Sequence, residues 1–166
     1  MVPYSSRWPE EFGKIRDVLA RSLGNRILGI EHVGSTAVPG LWAKPILDID
    51  IIIETYDRFG PAAECLATLG YVHEGNLGII GREAFAYHDL PQFMPHHLYV
   101  CPENSAELRR HLVFRNHLRT HPDDAERYSA AKREAARRYP DDIDGYLAEK
   151  GICIAEIYRT CGLNDG

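Results

Sequence analysis

No stretch of this sequence is apolar for long enough to cross a membrane as a helix. The longest candidate, Ile46 to Ile53, is interrupted by Asp48 and Asp50, whereas a span needs about 20 apolar residues. The N-terminal MVPYSSRWPEEF lacks the basic-then-apolar order of a signal peptide. A soluble, cytoplasmic protein with no membrane partner is therefore expected. Cysteine is sparse: Cys65, Cys101, Cys153 and Cys161 form no CxxC pair, which excludes a zinc knuckle or a thioredoxin-like motif. Cys65 and Cys101 lie in apolar segments and are expected as buried free thiols, in keeping with a reducing compartment. There is no excess of basic charge either. A formal charge of −5 and a pI near 5.9 exclude a large non-specific nucleic-acid interface. They leave open a small anionic ligand, because a site can be locally basic inside an acidic protein.

What is present suits one domain spanning residues 1–166, with an ordinary apolar content of 45% and room for a core without disulfides or a structural metal. Trp8, Phe12, Ile15, Leu19 and Leu23 recur at helical spacing, and Gly24-Asn25 supplies a stop. A short strand is expected over Arg26 to His32, a turn at Val33-Gly34-Ser35-Thr36, and an isoleucine-rich strand following Pro45. A helix follows from about Pro61 to Leu69. After a loop bearing Gly75, Gly78 and Gly81, read as a mobile connection, comes a strand at His97 to Cys101. The remainder reads as three helices, the first capped by Asn104 with Glu107 and the second opened by Pro122. The third carries Ile143, Tyr146, Leu147, Ile154, Ile157, Tyr158 and Cys161 on one stripe. This order predicts an α+β fold: a small mixed sheet with packed helices and a helical C-terminal half.

The chemistry-bearing pattern is Gly34-Ser35 followed by Asp48 and Asp50. Residues two apart on a strand share a face, so the two carboxylates point together while Ile49, Ile51 and Ile53 point away. Two uncompensated carboxylates raise one another's pKa, and a divalent cation relieves that; aspartate oxygens suit Mg²⁺ shared with substrate phosphates. Asp-x-Asp alone is equally familiar as a solvated strand edge. Gly34-Ser35 adds a turn where the backbone approaches a ligand closely and free N–H groups at a helix start hold phosphate oxygens.

The stretch HVGSTAVPGLWAKPILDIDIII, residues 32–53, resembles the signature of the GrpB family. The resemblance extends through Tyr4…Trp8-Pro9, Gly81-Arg82…Phe85, His96-His97-Leu98-Tyr99-Val100, Arg110-His111-Leu112…Phe114-Arg115…Leu118-Arg119, Tyr128…Lys132 and Tyr146…Lys150, nearly the whole chain. It implies a nucleotidyltransferase-like fold related to the DNA polymerase beta superfamily. There the Gly-Ser turn holds the nucleoside triphosphate and two acids on the next strand hold metal, which assigns those roles to Gly34, Ser35, Asp48 and Asp50. A third acid usual on a later strand is missing; His97 stands in its place. His97 is then a general base, a nitrogen ligand that favours Mn²⁺ or Zn²⁺, or a structural residue. The resemblance also takes in domains joined to dephospho-CoA kinase.

Other cations are candidates for the nucleotide: Lys44 before the acidic strand, Arg82 in the glycine-bearing loop, and Arg115 and Lys132 on successive helices, with Lys150 after them. His111, Arg115 and Arg119 align on one side of their helix, as a solvated face or as an anion-binding wall. His117 and His121 have the spacing of a metal pair but lack the HExxH glutamate, and surface or capping roles are expected. Near Ser35 and His32 there is no hydrolase elbow. The expected activity is transfer of a nucleotidyl group from an NTP to a small-molecule acceptor, with Mg²⁺ or Mn²⁺ at Asp48 and Asp50, His97 assisting, and Gly34, Ser35, Lys44, Arg82, Arg115 and Lys132 around the nucleotide. The alternative is a non-catalytic accessory domain that keeps the fold and the anion pocket.

Overall fold

The computed structural model describes residues 1–163. Helix α1 (Arg7–Leu23) buries Trp8, Phe12, Ile15, Leu19 and Leu23, the stripe that the sequence spacing predicts. Strand β1 is Gly29–Val33, shorter than expected because residues Gly24–Arg26 form a single 3₁₀ turn after the helix. A second 3₁₀ turn, Ser35–Ala37, leads towards β2 (Leu47–Ile53). Then follow α2 (Phe59–Thr68), β3 (Tyr71–Gly75), β4 (Glu83–Tyr87) and β5 (His96–Pro102). The two segments flanking the glycine-bearing loop are thus strands, a hairpin that the sequence pattern did not announce. Three helices close the chain: α3 (Ala106–Thr120), α4 (Pro122–Arg138) and α5 (Ile143–Thr160).

The strands form one five-stranded mixed sheet in the order β1-β2-β5-β4-β3, with β2 antiparallel to β1 and parallel to β5. Strand β2 is therefore central, which explains its isoleucines. One face of the sheet presents Leu47, Ile49, Ile51, Ile53, Leu98 and Val100 to α1 and α2, and all six are essentially buried. The other face carries Asp48 and Asp50. A second apolar cluster joins Val38 and Leu41, downstream of the Gly34 turn, to Leu118, Ala125, Tyr128, Cys153 and Ile157 of the C-terminal helices. The fold so described is α+β with a mixed sheet and a helical C-terminal half, as the sequence predicts.

Two local expectations are corrected. Ser105, not Asn104, caps α3: its Oγ accepts from the Leu108 N–H at 3.2 Å and donates to the Gly81 carbonyl at 2.8 Å. On α5 the buried residues are Tyr146, Cys153 and Ile157, while Ile143 and Leu147 are more than half exposed. The stripe rotates because α5 packs chiefly against α4 rather than flat on the sheet. Cys101 is buried and Cys65 is half-buried, both as free thiols.

Candidate functional site

Asp48 and Asp50 share the face of β2 opposite the isoleucine core, but their surroundings differ. The Asp48 side chain is one-third exposed, and its Oδ1 accepts from His97 Nδ1 at 3.0 Å. The β2–β5 register places Asp48 directly beside His97. This hydrogen bond, more than the opposing burial, raises the His97 pKa. His97 therefore reaches the acid pair, as its alternation along β5 predicts.

Asp50 is fully buried. Its Oδ2 accepts from His111 Nδ1 on α3 at 2.6 Å, and its Oδ1 has no hydrogen-bond partner. The other nitrogen of His111 lies 3.2 Å from Glu107 Oε1. Burial opposes the His111 charge, yet the Asp50 and Glu107 carboxylates together outweigh it and push its pKa up to about 9. Burial raises the Asp50 pKa, and the short bond from His111 only partly opposes that rise.

The Gly34 turn lies against this pair. Gly34 has φ 76° and ψ −172°, a region essentially reserved for glycine. A Cβ built there would sit 2.4 Å from Asp48 Oδ2, so only glycine lets the turn approach the carboxylate. Helix α4 holds the turn from the far side. Lys132 Nζ donates to Ser35 Oγ and to the Trp42 carbonyl, both at 2.7 Å, while the Trp42 N–H donates to Ser129 Oγ at 3.0 Å.

Between the turn, Asp48 and α5 opens a pocket of about 270 Å³, lined by Ser35, Lys44, Asp48, His97, Lys132, Tyr146 and Lys150 among others; Asp50, fully buried, does not line it. Three lysines in one pocket make it locally basic within an acidic protein. Burial, reinforced by the charges of Lys150 and Lys44, lowers the Lys132 pKa to about 7. Burial likewise lowers that of Lys150. Lys44 and Lys150 flank the Tyr146 ring, at 5.4 and 5.7 Å from its centroid.

The structure separates the remaining candidates from this pocket. Arg115 is buried against β1, donating to Glu31 Oε2 at 2.6 Å and to the His32 carbonyl at 2.9 Å. Arg119 donates to the Ala37 carbonyl at 2.9 Å. The aligned stripe of α3 is thus neither a solvated face nor an anion-binding wall; it docks the helix onto the sheet through His111, Arg115 and Arg119. Arg82 lies over the Tyr99 ring, 4.2 Å from its centroid, and does not line the pocket. His32 bonds to Thr36 Oγ1 at 2.8 Å rather than to Ser35, and burial together with Arg119 lowers its pKa to about 4. His117 pairs with Asp124 at 2.6 Å and stacks on His121, which joins α3 to α4, so the two serve the helix junction. His111, read from the sequence only as part of a solvated face or an anion-binding wall and of the family-like Arg110-His111-Leu112 segment, instead reaches the buried Asp50.

The donor set is compatible with a divalent ion. Asp50 Oδ1 is buried and unpartnered beside Asp48, and both offer hard carboxylate oxygens. Among the described residues no group of three or more His, Cys, Asp or Glu could hold a metal ion, so waters or a ligand's oxygens would have to supply the remaining donors. That incompleteness suits Mg²⁺ or Mn²⁺ better than a closed structural site.

Comparison with known proteins agrees with this fold. A solved structure of conserved protein GrpB from Enterococcus faecalis superposes with TM-score 0.76 at 31% identity, covering 95% of this chain and 98% of that one. The nucleotidyltransferase fold also recurs in Cid1 in complex with its short product ApU, at TM-score 0.58 and 14% identity over 82% of this chain and 43% of Cid1. In sequence, the chain is 38% identical to UPF0157 protein PA4798 of Pseudomonas aeruginosa and 32% identical to UPF0157 protein YqkA of Bacillus subtilis. It is 95% and 90% covered by these matches and spans only 65% and 43% of the two relatives' lengths. A dephospho-CoA kinase of Mycolicibacterium paratuberculosis matches at 28% identity over 96% of this chain and 45% of its own length. No helix of the described residues is long and apolar enough to cross a membrane. With a family model for GrpB protein matching residues 1–160, the Gly34 turn and the paired aspartates of β2 within that span, the chain belongs to the GrpB family.

Proposed function

We propose that the pocket binds a nucleoside triphosphate with a divalent cation and transfers its nucleotidyl group to a small-molecule acceptor. The observation that carries this reading is the meeting of a glycine-only turn with Asp48, in a pocket that Asp48 shares with three lysines, while Asp50 beside it on β2 keeps a buried, unpartnered oxygen. Solved relatives of the fold support it, among them Cid1, described as a poly(U) polymerase with bound MgGTP.

Each group then has a task. Asp48 and Asp50 would hold the cation, which when bound neutralises phosphate charge and orients the reacting phosphoryl group. Lys132, Lys44 and Lys150 hold the remaining phosphate charge, and Ser35 with the turn's N–H groups fixes its position. His97 orients Asp48 and, when neutral, accepts a proton from an approaching hydroxyl. Tyr146 and the exposed Ile143 and Leu147 give the rest of the ligand an apolar wall.

The accessory alternative has its own support. No third carboxylate stands on β5 beside Asp48 and Asp50, where His97 and Tyr99 face them in register. The match to a dephospho-CoA kinase over part of its length fits a domain carried alongside another activity. Pyrophosphate release from each NTP with Mg²⁺ or Mn²⁺ and a panel of hydroxyl and amine acceptors separates the two. Release that is lost in Asp48→Asn supports the transferase; tight NTP binding with no release across the panel supports the accessory domain.

The lysine pocket adds a pH dependence. An anionic ligand favours charged Lys132, whose free pKa is about 7, so binding draws in a proton. Affinity is then full below pH 7 and weakens as pH rises above it, by at most about tenfold per unit for one linked proton. Titrating NTP between pH 6 and 9 checks this; Lys132→Met is expected to bind more weakly and to lose this component of the slope.

A further inference from the structure

We propose that Arg82 receives an anionic group of the acceptor, so that the second substrate is a small molecule bearing a phosphate or a carboxylate besides its nucleophilic hydroxyl or amine. The inference rests on the nucleotide-binding reading above and names the substrate class which that reading leaves open.

The first observation is an arginine without a partner. Arg82 is half-buried, yet among the described residues it makes no hydrogen bond and no ion pair. Its Nε is buried and unmet, while its two Nη groups reach solvent. Stacking over Tyr99, 4.2 Å from the ring centroid, engages only the face of the guanidinium. The N–H donors lie in its plane, in the fork that matches a phosphate or a carboxylate. An arginine present only to balance the acid pair would form an ion pair with one of them. Arg82 does not: Asp48 and Asp50 pair with His97 and His111 instead.

The second observation is where this arginine stands. Asp48 lies beside His97 and Asp50 beside Tyr99 in the β2–β5 register, and Tyr99 lies beside Ala84 in the β5–β4 register. Register partners share a face, and Arg82 comes two residues before Ala84, so it belongs to the carboxylate face. Ala84 is small enough to leave the space over the Tyr99 ring to the guanidinium. The lysines reach the acids from elsewhere: Lys44 from the segment before β2, Lys132 and Lys150 from α4 and α5. His97 lines that pocket, and the Tyr99 ring, 6.4 Å from His97 between centroids, leads from it to Arg82.

The chemistry joins the two. Phosphates held by the lysines put the leaving pyrophosphate on the pocket side. In an in-line transfer the acceptor's bond to the α-phosphorus forms opposite the breaking bond to pyrophosphate, and the acceptor's proton passes to His97 as above. The nucleophile then arrives at His97 from the Tyr99 side, and the rest of the acceptor falls at Arg82. The reach is short, no more than the Arg82–Tyr99 and Tyr99–His97 contacts laid end to end. That span suits a small hydroxy acid or the phosphate ester of a small polyol.

The lysine pocket would itself trap anions, so the test is run with it filled. Protein saturated with the α,β-methylene analogue of ATP and Mg²⁺ is titrated with glycerol 3-phosphate, glycerate and glycerol, followed by ligand-observed NMR. At least one of the two charged probes is expected to bind about tenfold or more tighter than glycerol, and the tighter of the two identifies the oxoanion. Arg82→Gln is expected to abolish that preference. Arg82→Lys, which keeps the charge but not the fork, is expected to retain part of it. The inference is overturned if all three probes bind alike or if the preference survives in Arg82→Gln. It is overturned too if Arg82→Gln weakens the analogue as much as the oxoanion, which would give Arg82 to the nucleotide. Should neither variant fold, the wild-type comparison of charged probes with glycerol decides. Failure of the analogue itself to bind at millimolar concentration would remove the nucleotide-binding reading, and the acceptor role of Arg82 with it.

Discussion

Gly34→Ala is expected to unfold at lower denaturant than the wild type and to lose its response to nucleotide. The backbone at Gly34, with φ 76° and ψ −172°, is a conformation that costs other residues about 1–3 kcal/mol. Strain is only part of the effect. The new methyl would lie 2.4 Å from Asp48 Oδ2 and 3.1 Å from Asp48 Cβ, so either the turn lifts away or the carboxylate is displaced. Both outcomes separate the phosphate-binding turn from the acid pair. Gly40→Ala is the control: Gly40 also has positive φ, 86°, but open space where its Cβ would be. It carries the backbone cost without touching Asp48, and its nucleotide response is expected to survive. Urea unfolding with and without Mg²⁺ and NTP reads both quantities. If Gly34→Ala keeps the wild-type ligand response, the close approach of turn to carboxylate has no part in binding.

Asp48→Asn carries the second large effect, on ligand rather than on fold. The side chain is one-third exposed, the amide is nearly isosteric, and its carbonyl still accepts from His97. Ligand-free stability is expected to change by less than about 1 kcal/mol. At a ligand concentration 100-fold above Kd, binding stabilises a native protein by about 2.7 kcal/mol. For a chain of this size that is a shift of about 5–10 °C in Tm. The metal-dependent part of this shift is expected to vanish in Asp48→Asn, because an amide offers the cation no charge. A metal-independent remainder from Lys44, Lys132 and Lys150 is expected to persist. Thermal unfolding across NTPs with Mg²⁺, Mn²⁺ or chelator reads this, and an undiminished metal-dependent shift would place the cation away from Asp48.

The contrast between these residues and His111 shows what a sequence discloses. Asp48 and Asp50 are legible because strand periodicity is rigid: two residues apart means one face, and the isoleucines between and beyond them name the other. The Gly34 turn is legible only in combination: Gly-Ser by itself marks a turn, and the strand before it and the acidic strand after it give it a ligand-binding reading. His97 follows from the same alternation on β5. Helix α3 is different. Its spacing shows that His111, Arg115 and Arg119 align, yet a basic helix face looks the same in sequence whether it faces water or a buried acid. Only tertiary placement shows that each of the three meets a partner on β1, β2 or the Gly34 turn. Lys132 was a candidate by position and proved to bridge Ser35 and Trp42, a convergence of segments almost a hundred residues apart that no local pattern encodes. Strands β3 and β4 are not legible because their short, mixed sequences, Tyr71–Gly75 and Glu83–Tyr87, carry little alternation.

The account turns on one claim, that the Gly34 turn, the β2 carboxylates and the lysine pocket form a single site for nucleotide and divalent cation. Isothermal titration of wild-type protein with each NTP, in Mg²⁺ and again in chelator, addresses it most directly. Saturable one-to-one binding that is strengthened by Mg²⁺, with the Mg²⁺ effect absent from Asp48→Asn, is the predicted result. Heats no different from buffer at millimolar NTP, with and without Mg²⁺, would contradict it.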